Sequence, residues 1–166
     1  SKGLVSDKNL FVASNNLSNV VFGAARLADG QNALFVQGVL SQSLPQGTAE
    51  YAGDVLNFRA RNIPEKLDWL DPGSSFTANV NFGAKTVTGT IKSGDRWYMR
   101  DQNFTGTLSG SNFNATWDNK AQGSLSGGFY GANAAEMAGR YSYNMTPDKN
   151  DSSSNNAFGV FGGKKK

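Results

Sequence analysis

From Ser75 onward the chain alternates apolar and polar residues with a period of two, and glycine keeps returning on the apolar side of that alternation. Phe76, Ala78, Val80 and Phe82 share one parity against Thr77, Asn79 and Asn81. After a turn at Gly83-Ala84 come Val87, Gly89 and Ile91 against Thr86, Thr88 and Thr90. A period of two puts alternate side chains on opposite faces of a strand, so each run reads as a hairpin arm with one wet face. Phe104, Gly106 and Leu108 lead through Ser109-Gly110-Ser111 to Phe113, Ala115 and Trp117. Leu125, Gly127 and Phe129 form the next apolar row, then Gly139, Tyr141 and Tyr143, and a last strand covers 158–161. Glycine inside a strand forfeits packing and costs entropy, so Gly89, Gly106, Gly127 and Gly139 on the apolar face imply bending around a narrow centre filled by large neighbours. The predicted fold is all-β, a small antiparallel up-and-down β-barrel, closed so that no edge is left to aggregate.

The first half is less regular. Residues 20–27, 33–40 and 48–60 read as three more strands, divided by Asp29-Gly30 and by the Pro45-Gln46-Gly47 turn. Counted together, the segments predict a barrel of about eight strands over residues 19–163, behind a leader at 1–18 and ahead of a basic tail at 164–166. Residues 132–138 hold good helix formers, so a short helical turn is expected before the penultimate strand. The stretch 145–156, rich in Asp, Ser and Asn, is expected to be a mobile loop.

Composition removes most chemistry. The chain has no Cys and no His, which excludes disulfides, thiolate metal sites, a cysteine nucleophile and an imidazole base or ligand. Its acids are dispersed and mostly at turns, so no general acid and base stand out, and no enzyme is expected. Asp148, Asn150 and Asp151 alternate like calcium ligands but lack the loop glycine and closing Glu, so neither metal nor cofactor is expected. A net charge of +3 is too small to imply nucleic acid. No run approaches the ~20 apolar residues of a membrane helix.

The run Gly127-Gly128-Phe129-Tyr130-Gly131-Ala132-Asn133-Ala134-Ala135-Glu136-Met137-Ala138-Gly139, followed by Tyr141 and closing on Phe158-Gly159-Val160-Phe161-Gly162, resembles the C-terminal signature of transferrin-binding protein B-like barrels, surface lipoproteins of Gram-negative bacteria. Further likeness to a heparin-binding branch of that family lies in 51–58, 80–89, Ser93-Gly94-Asp95, 113–117 and 138–143. The resemblance implies a barrel with a short helical turn over one mouth and Gly139 at the start of the return strand. It also implies a bacterial cell-surface location, at the outer membrane through a lipid anchor upstream of Ser1. The arginine-rich stretch that carries heparin affinity in that branch lies ahead of the barrel and has no match here. Haem-binding members of the wider group use histidine, which the chain lacks, and the large transferrin binders pair two lobes, each with a handle, where one barrel is expected here.

Within this frame the expected activity is non-covalent binding of a host macromolecule by a monomer. Arg96, Trp97, Tyr98 and Arg100, with Trp69 from the long connection 62–74, are the candidate partner-binding residues, because Arg, Trp and Tyr combine rigid area with directional hydrogen bonding. The alternative for 96–100 is a plain strand with Trp97 and Met99 inward and the arginines solvated; for Trp69 it is a lid on the barrel end. Arg59 and Arg61, two apart and so on one face of their strand, could join Lys92, Arg96 and Arg100 as a basic rim for a heparin-like glycosaminoglycan. Scattered solvated charge is the alternative there. A third reading, a carrier of a small hydrophobic ligand, requires an empty lumen, against the abundance of inward Phe, Tyr and Trp.

Overall fold

The computed structural model describes residues 4–7, 10–13, 17–26, 32–61, 73–96, 98–145 and 155–166. Its strands are β1 (Leu4–Asp7), β2 (Leu10–Ala13), β3 (Val20–Arg26), β4 (Asn32–Gly38), β5 (Thr48–Arg61), β6 (Ser75–Asn81), β7 (Thr86–Lys92), β8 (Asp101–Ser109), β9 (Asn112–Trp117), β10 (Leu125–Tyr130), β11 (Glu136–Tyr143) and β12 (Asn155–Lys165). Strands β5 to β12 pair antiparallel in chain order and close into an eight-stranded barrel. The closing seam is the longest ladder, with β12 against β5 from Asn155 opposite Arg61 to Lys165 opposite Tyr51. The barrel is therefore up-and-down and closed, as the alternation predicts.

The interior is the apolar parity of each strand. Phe76, Ala78, Val80, Val87, Ile91, Phe104, Leu108, Phe113, Ala115, Trp117, Leu125, Phe129, Met137, Tyr141 and Phe161 are all buried in one core. Gly139 shows why glycine recurs on this face: a Cβ there would sit 2.6 Å from the Ser126 carbonyl and within 2.9 Å of the Phe113 and Phe161 rings. Gly139 stands opposite Gly127 in the middle of β11, whose first residue is Glu136. The expectation that Gly139 starts the return strand is corrected by three residues. The short helical turn expected within 132–138 is a single 3-10 turn, Ala132–Ala134, before β11. Buried Ala134 accepts a hydrogen bond from the Tyr51 hydroxyl at 2.6 Å, which seats the turn over one mouth of the barrel.

Residues 20–26 and 32–38 are strands, but they are not staves of the barrel. They belong to a separate antiparallel sheet in the order β1-β2-β3-β4, which includes two short strands from the expected leader. The reason is steric and apolar together. Residues 48–165 already close on themselves and leave no edge for them, while the outer wall at the seam carries its own apolar row. Phe22 and Ala24 of β3 pack on Leu56, Phe58 and Val160, and Val20 packs on Tyr130 and Ala138. Gly162 provides the room, since a Cβ there would lie 2.5 Å from the Phe22 ring. Glu136, 4% exposed, clasps sheet to barrel by accepting the backbone amides of Ser18 and Asn19, each at 2.7 Å. Lys164 and Lys165, expected in a tail, lie in β12 opposite Ala52 and Tyr51. Most of the 145–156 stretch, including Asp148, Asn150 and Asp151, is outside the described residues.

Candidate functional site

An antiparallel meander sends alternate connections to opposite ends. The upper mouth gathers the end of β5, the start of β6, the end of β7, the start of β8 and the connections beyond β9 and β11; the lower mouth holds the 3-10 turn. Topology alone therefore brings Arg59, Arg61, Lys92, Arg96, Tyr98 and Arg100 to the upper mouth. Trp69 and Trp97 are outside the described residues, and only the backbone of Arg61 is described.

In the β7–β8 connection the described residues, 93–96 and 98–100, form turns and not the strand that was the alternative reading. Ser93 Oγ donates to the Arg100 carbonyl at 2.7 Å and accepts the Asp95 amide at 3.1 Å. The Asp95 carbonyl accepts the Arg100 amide at 2.9 Å, and its carboxylate accepts the Tyr98 amide at 3.1 Å. Gly94 and Arg100 take the left-handed backbone that this tight return needs, with φ of 79° and 56°. Ser74 Oγ, donating to the Ser93 carbonyl at 2.5 Å, ties the loop to the start of β6. Met99 drops into the core, as the alternative reading had it although no strand forms there, while Arg96 and Arg100 are exposed.

Arg59 does not stand on the rim. Its parity is that of Tyr51 and Val55, so it faces the lumen at the mouth, above Asn57, which is buried and accepts a short hydrogen bond from the Tyr141 hydroxyl. The Arg59 side chain is 14% exposed, with its Nη1 3.4 Å from Asp95 and its guanidinium 5.8 Å from the centre of the Tyr98 ring. That charge is spent on holding the loop. Tyr98 is half-buried, packs edge-on to Tyr143, and its hydroxyl accepts the Met145 amide at 2.8 Å. Loss of water raises the Tyr98 pKa, a shift partly opposed by the hydrogen bond with Met145. Lys92, exposed at the end of β7, lies opposite Asp101 of β8 in register. Of the five cations expected on the rim, Arg96 and Arg100 are exposed on the loop, Lys92 is exposed at the end of β7, Arg59 is turned inward, and the side chain of Arg61 is outside the described residues.

Behind this mouth the axis is occupied. Tyr98 meets Tyr143, Tyr143 meets Trp117, Trp117 meets Tyr141, Tyr141 meets Phe161, and the chain of rings continues through Phe113 and Phe129 to Tyr51 below the 3-10 turn, with centroid separations of 5.4–6.4 Å. These separations are those of touching aromatic pairs. Side chains, not a ligand, fill the lumen. Sequence reasoning had the inward rows but missed Asp95 as the organiser of the loop; an acid directly after a serine and a glycine between two strands was the available signal.

Three comparisons bear on this architecture. The family described as C-lobe and N-lobe beta barrels of Tf-binding protein B matches residues 44–165. Neisserial heparin binding antigen of Neisseria meningitidis serogroup B is 37% identical over 161 residues, covering 95% of this chain and 30% of that relative. Among solved structures, isotype 1 transferrin binding protein B from serogroup B Neisseria meningitidis superposes with a TM-score of 0.69 at 23% identity, over 98% of this chain and 34% of the other. HpuA from Kingella denitrificans, crystallised in complex with human haemoglobin, gives 0.61 at 20% identity, over 98% and 59%. At those identities the structural likeness is one of fold. It extends over nearly the whole chain, sheet and barrel together.

Proposed function

The chain belongs to the family of transferrin-binding protein B lobe barrels, and on that premise we propose that it is a host-macromolecule-binding module of a Gram-negative surface lipoprotein, held at the outer membrane by a lipid anchor elsewhere in the full protein. The chain spans 30% of the length of the curated relative, so the partner of the whole protein is part of the proposal. Relatives named as a transferrin binding protein, as a heparin binding antigen and as a partner of human haemoglobin support a binding role and not a catalytic one. The observation that carries the reading is the ring-filled axis: with no room inside, recognition falls to the loops and outer wall, and the barrel serves as a rigid mount. The upper mouth is the proposed partner site, through Arg96, Tyr98 and Arg100 on the ordered loop, with Trp69 and Trp97 as further anchors.

The test is retention of human serum proteins on the immobilised chain, identified by mass spectrometry, against an Arg96→Ala/Arg100→Ala variant. A specific serum or metal-carrier protein held by the parent and lost by the variant is the expected result. Equal retention by both refutes the upper-mouth assignment. A second reading, binding of a heparin-like polyanion at the same mouth, is favoured by one observation: four of the proposed cations, Lys92, Arg96, Arg100 and Arg61, all come from strand ends or a loop of that mouth. Heparin retention without retention of any serum protein would put it first.

A further inference from the structure

We infer that the open edge of β4 is a second interaction surface, which takes an extended, acid-bearing segment of a partner protein as a fifth strand of the outer sheet. β4 is the last strand in the order β1-β2-β3-β4 and among the described residues pairs with β3 alone, so one row of its backbone groups has no strand partner among them. Exposed strand edges are ordinarily blunted by charge, proline or a bulge. β4 reads Asn-Ala-Leu-Phe-Val-Gln-Gly and has no charged residue and no proline.

The edge does not face open solvent. It forms one side of a groove whose other side is the barrel wall, where Asn112, Asn114 and Ser126 project from β9 and β10, with Tyr130 at the end of β10 and Arg140 from β11. Residues 34–37 supply the β4 side as a continuous run, which is how a strand edge, and not a patch of side chains, lines a cleft. An incoming strand would complete its backbone hydrogen bonds on β4 and rest its side chains on the amides and hydroxyl opposite, the division of labour of strand addition.

The wall also states the charge of the occupant. Arg140 is exposed, and among the described residues no acidic side chain lines the groove and no carboxylate pairs with Arg140. A carboxylate on the incoming strand would supply that partner in a bidentate geometry to which guanidinium is suited. A second copy of this chain, joined edge to edge through β4, would bring a strand with no Asp or Glu and leave both copies of Arg140 unmatched. The occupant is therefore a different sequence.

The surface is remote in topology from the upper mouth, so it stands or falls separately from the reading above. The test is selection of a phage-displayed library of random peptides of about ten residues, long enough for one strand, on the intact chain, followed by amide NMR mapping of a synthetic winner. Expected are winners rich in β-branched residues with at least one Asp or Glu, shifts concentrated at residues 34–37 and 112–114, and loss of binding when alternate peptide nitrogens are methylated. Arg140→Glu should weaken the acidic peptide by about tenfold and restore binding to its Glu→Lys counterpart, as expected for one charge-assisted contact. Winners that are insensitive to N-methylation, that map to the upper mouth, or that fail to appear overturn the inference. So does concentration-dependent dimerisation through β4 in sedimentation, which would make the occupant a second copy.

Discussion

Asp95 accepts the Tyr98 amide and faces the Arg59 guanidinium with its own side chain only 3% exposed, so the loop that presents Arg96 and Arg100 is built around one carboxylate. Removing one member of such a pair leaves the other charge half-buried with nothing to offset it. Asp95→Ala is expected to lower stability by about 1–3 kcal/mol, less than a fully buried pair because the Arg59 contact is long and partly wet. Urea midpoints measure this, and a variant as stable as the parent would mean that the hydroxyl of Ser93 alone holds the loop. Tyrosine gives a second residue-scale prediction. Burial raises the pKa of Tyr51, Tyr98 and Tyr130 above the ordinary value of 10. An acid whose folded pKa is raised keeps its proton longer in the folded state than in the unfolded one, so its contribution to stability is intact below the unfolded pKa and is lost as pH climbs towards the folded one. Stability should be flat through neutral pH on account of these three groups and fall above about pH 10. Tyr51→Phe should lessen that alkaline slope while costing about 1 kcal/mol at neutral pH through the lost bond to Ala134. Unfolding monitored from pH 8 to 12, with tyrosinate absorbance read in parallel, checks both; an unchanged slope in the variant would place the alkaline sensitivity elsewhere. Parity arithmetic could foresee that Tyr51 and Tyr141 face inward. The same parity joins Arg59 to Tyr51, but β5 is apolar on both parities, so only the buried carboxylate of Asp95 in another loop shows why a cation is held on the inner face.

Strands β6 to β9 were legible because each is wet on one face, and the alternation Thr-Val-Thr-Gly-Thr-Ile in β7 leaves one answer. β5 and β12 are different. Val55-Leu56 and Val160-Phe161 place apolar residues on both parities, and the structure buries both faces, one in the lumen and one under β3. A run that is apolar on both parities is the mark of a strand covered on both sides. That mark was in the sequence and pointed to a second layer over the seam, whereas counting strands absorbed the layer into the barrel. Two substitutions separate layer from barrel. Gly162→Ala pushes a methyl to within 2.5 Å of the Phe22 ring, and overpacking of this kind costs about 1–3 kcal/mol. Glu136→Ala strips the clasp from the amides of Ser18 and Asn19 and should cost about 2–4 kcal/mol, as two charge-assisted bonds are lost from a site with little water. Both are expected to speed amide exchange in β3 and β4 well before that in β7 to β9. Uniform acceleration over all strands would instead mean that sheet and barrel open as one unit.

Charge is divided between the two ends of the molecule, and that division decides whether a polyanion has a preferred pole. Lys164, Lys165 and Lys166 follow the seam to the lower mouth, where Lys165 Nζ donates to the Asn133 carbonyl at 2.5 Å and the Lys166 amide donates to Glu50. The sequence reading held these lysines apart as a tail and assigned the rim to the other cations; only the ladder from Asn155 to Lys165 places the two groups at opposite ends. Spacing along a chain does not show convergence in space, but in a meander the parity of the connection does: sites an even number of strands apart share an end. Arg96 and Arg100, presented by a hydrogen-bonded loop, lose little freedom on meeting sulfate, whereas Lys92 stands opposite Asp101 in register and Arg59 pairs with Asp95. Arg96→Ala/Arg100→Ala should therefore elute from heparin at clearly lower salt than the parent, and a Lys164→Ala/Lys166→Ala variant should shift less despite removing the same formal charge. Equal shifts would show that net charge of +3, and not a shaped site, governs retention. A larger shift from the lysine variant would move the polyanion site to the lower mouth, beside the turn that Tyr51 holds, and leave the upper loop to protein partners alone.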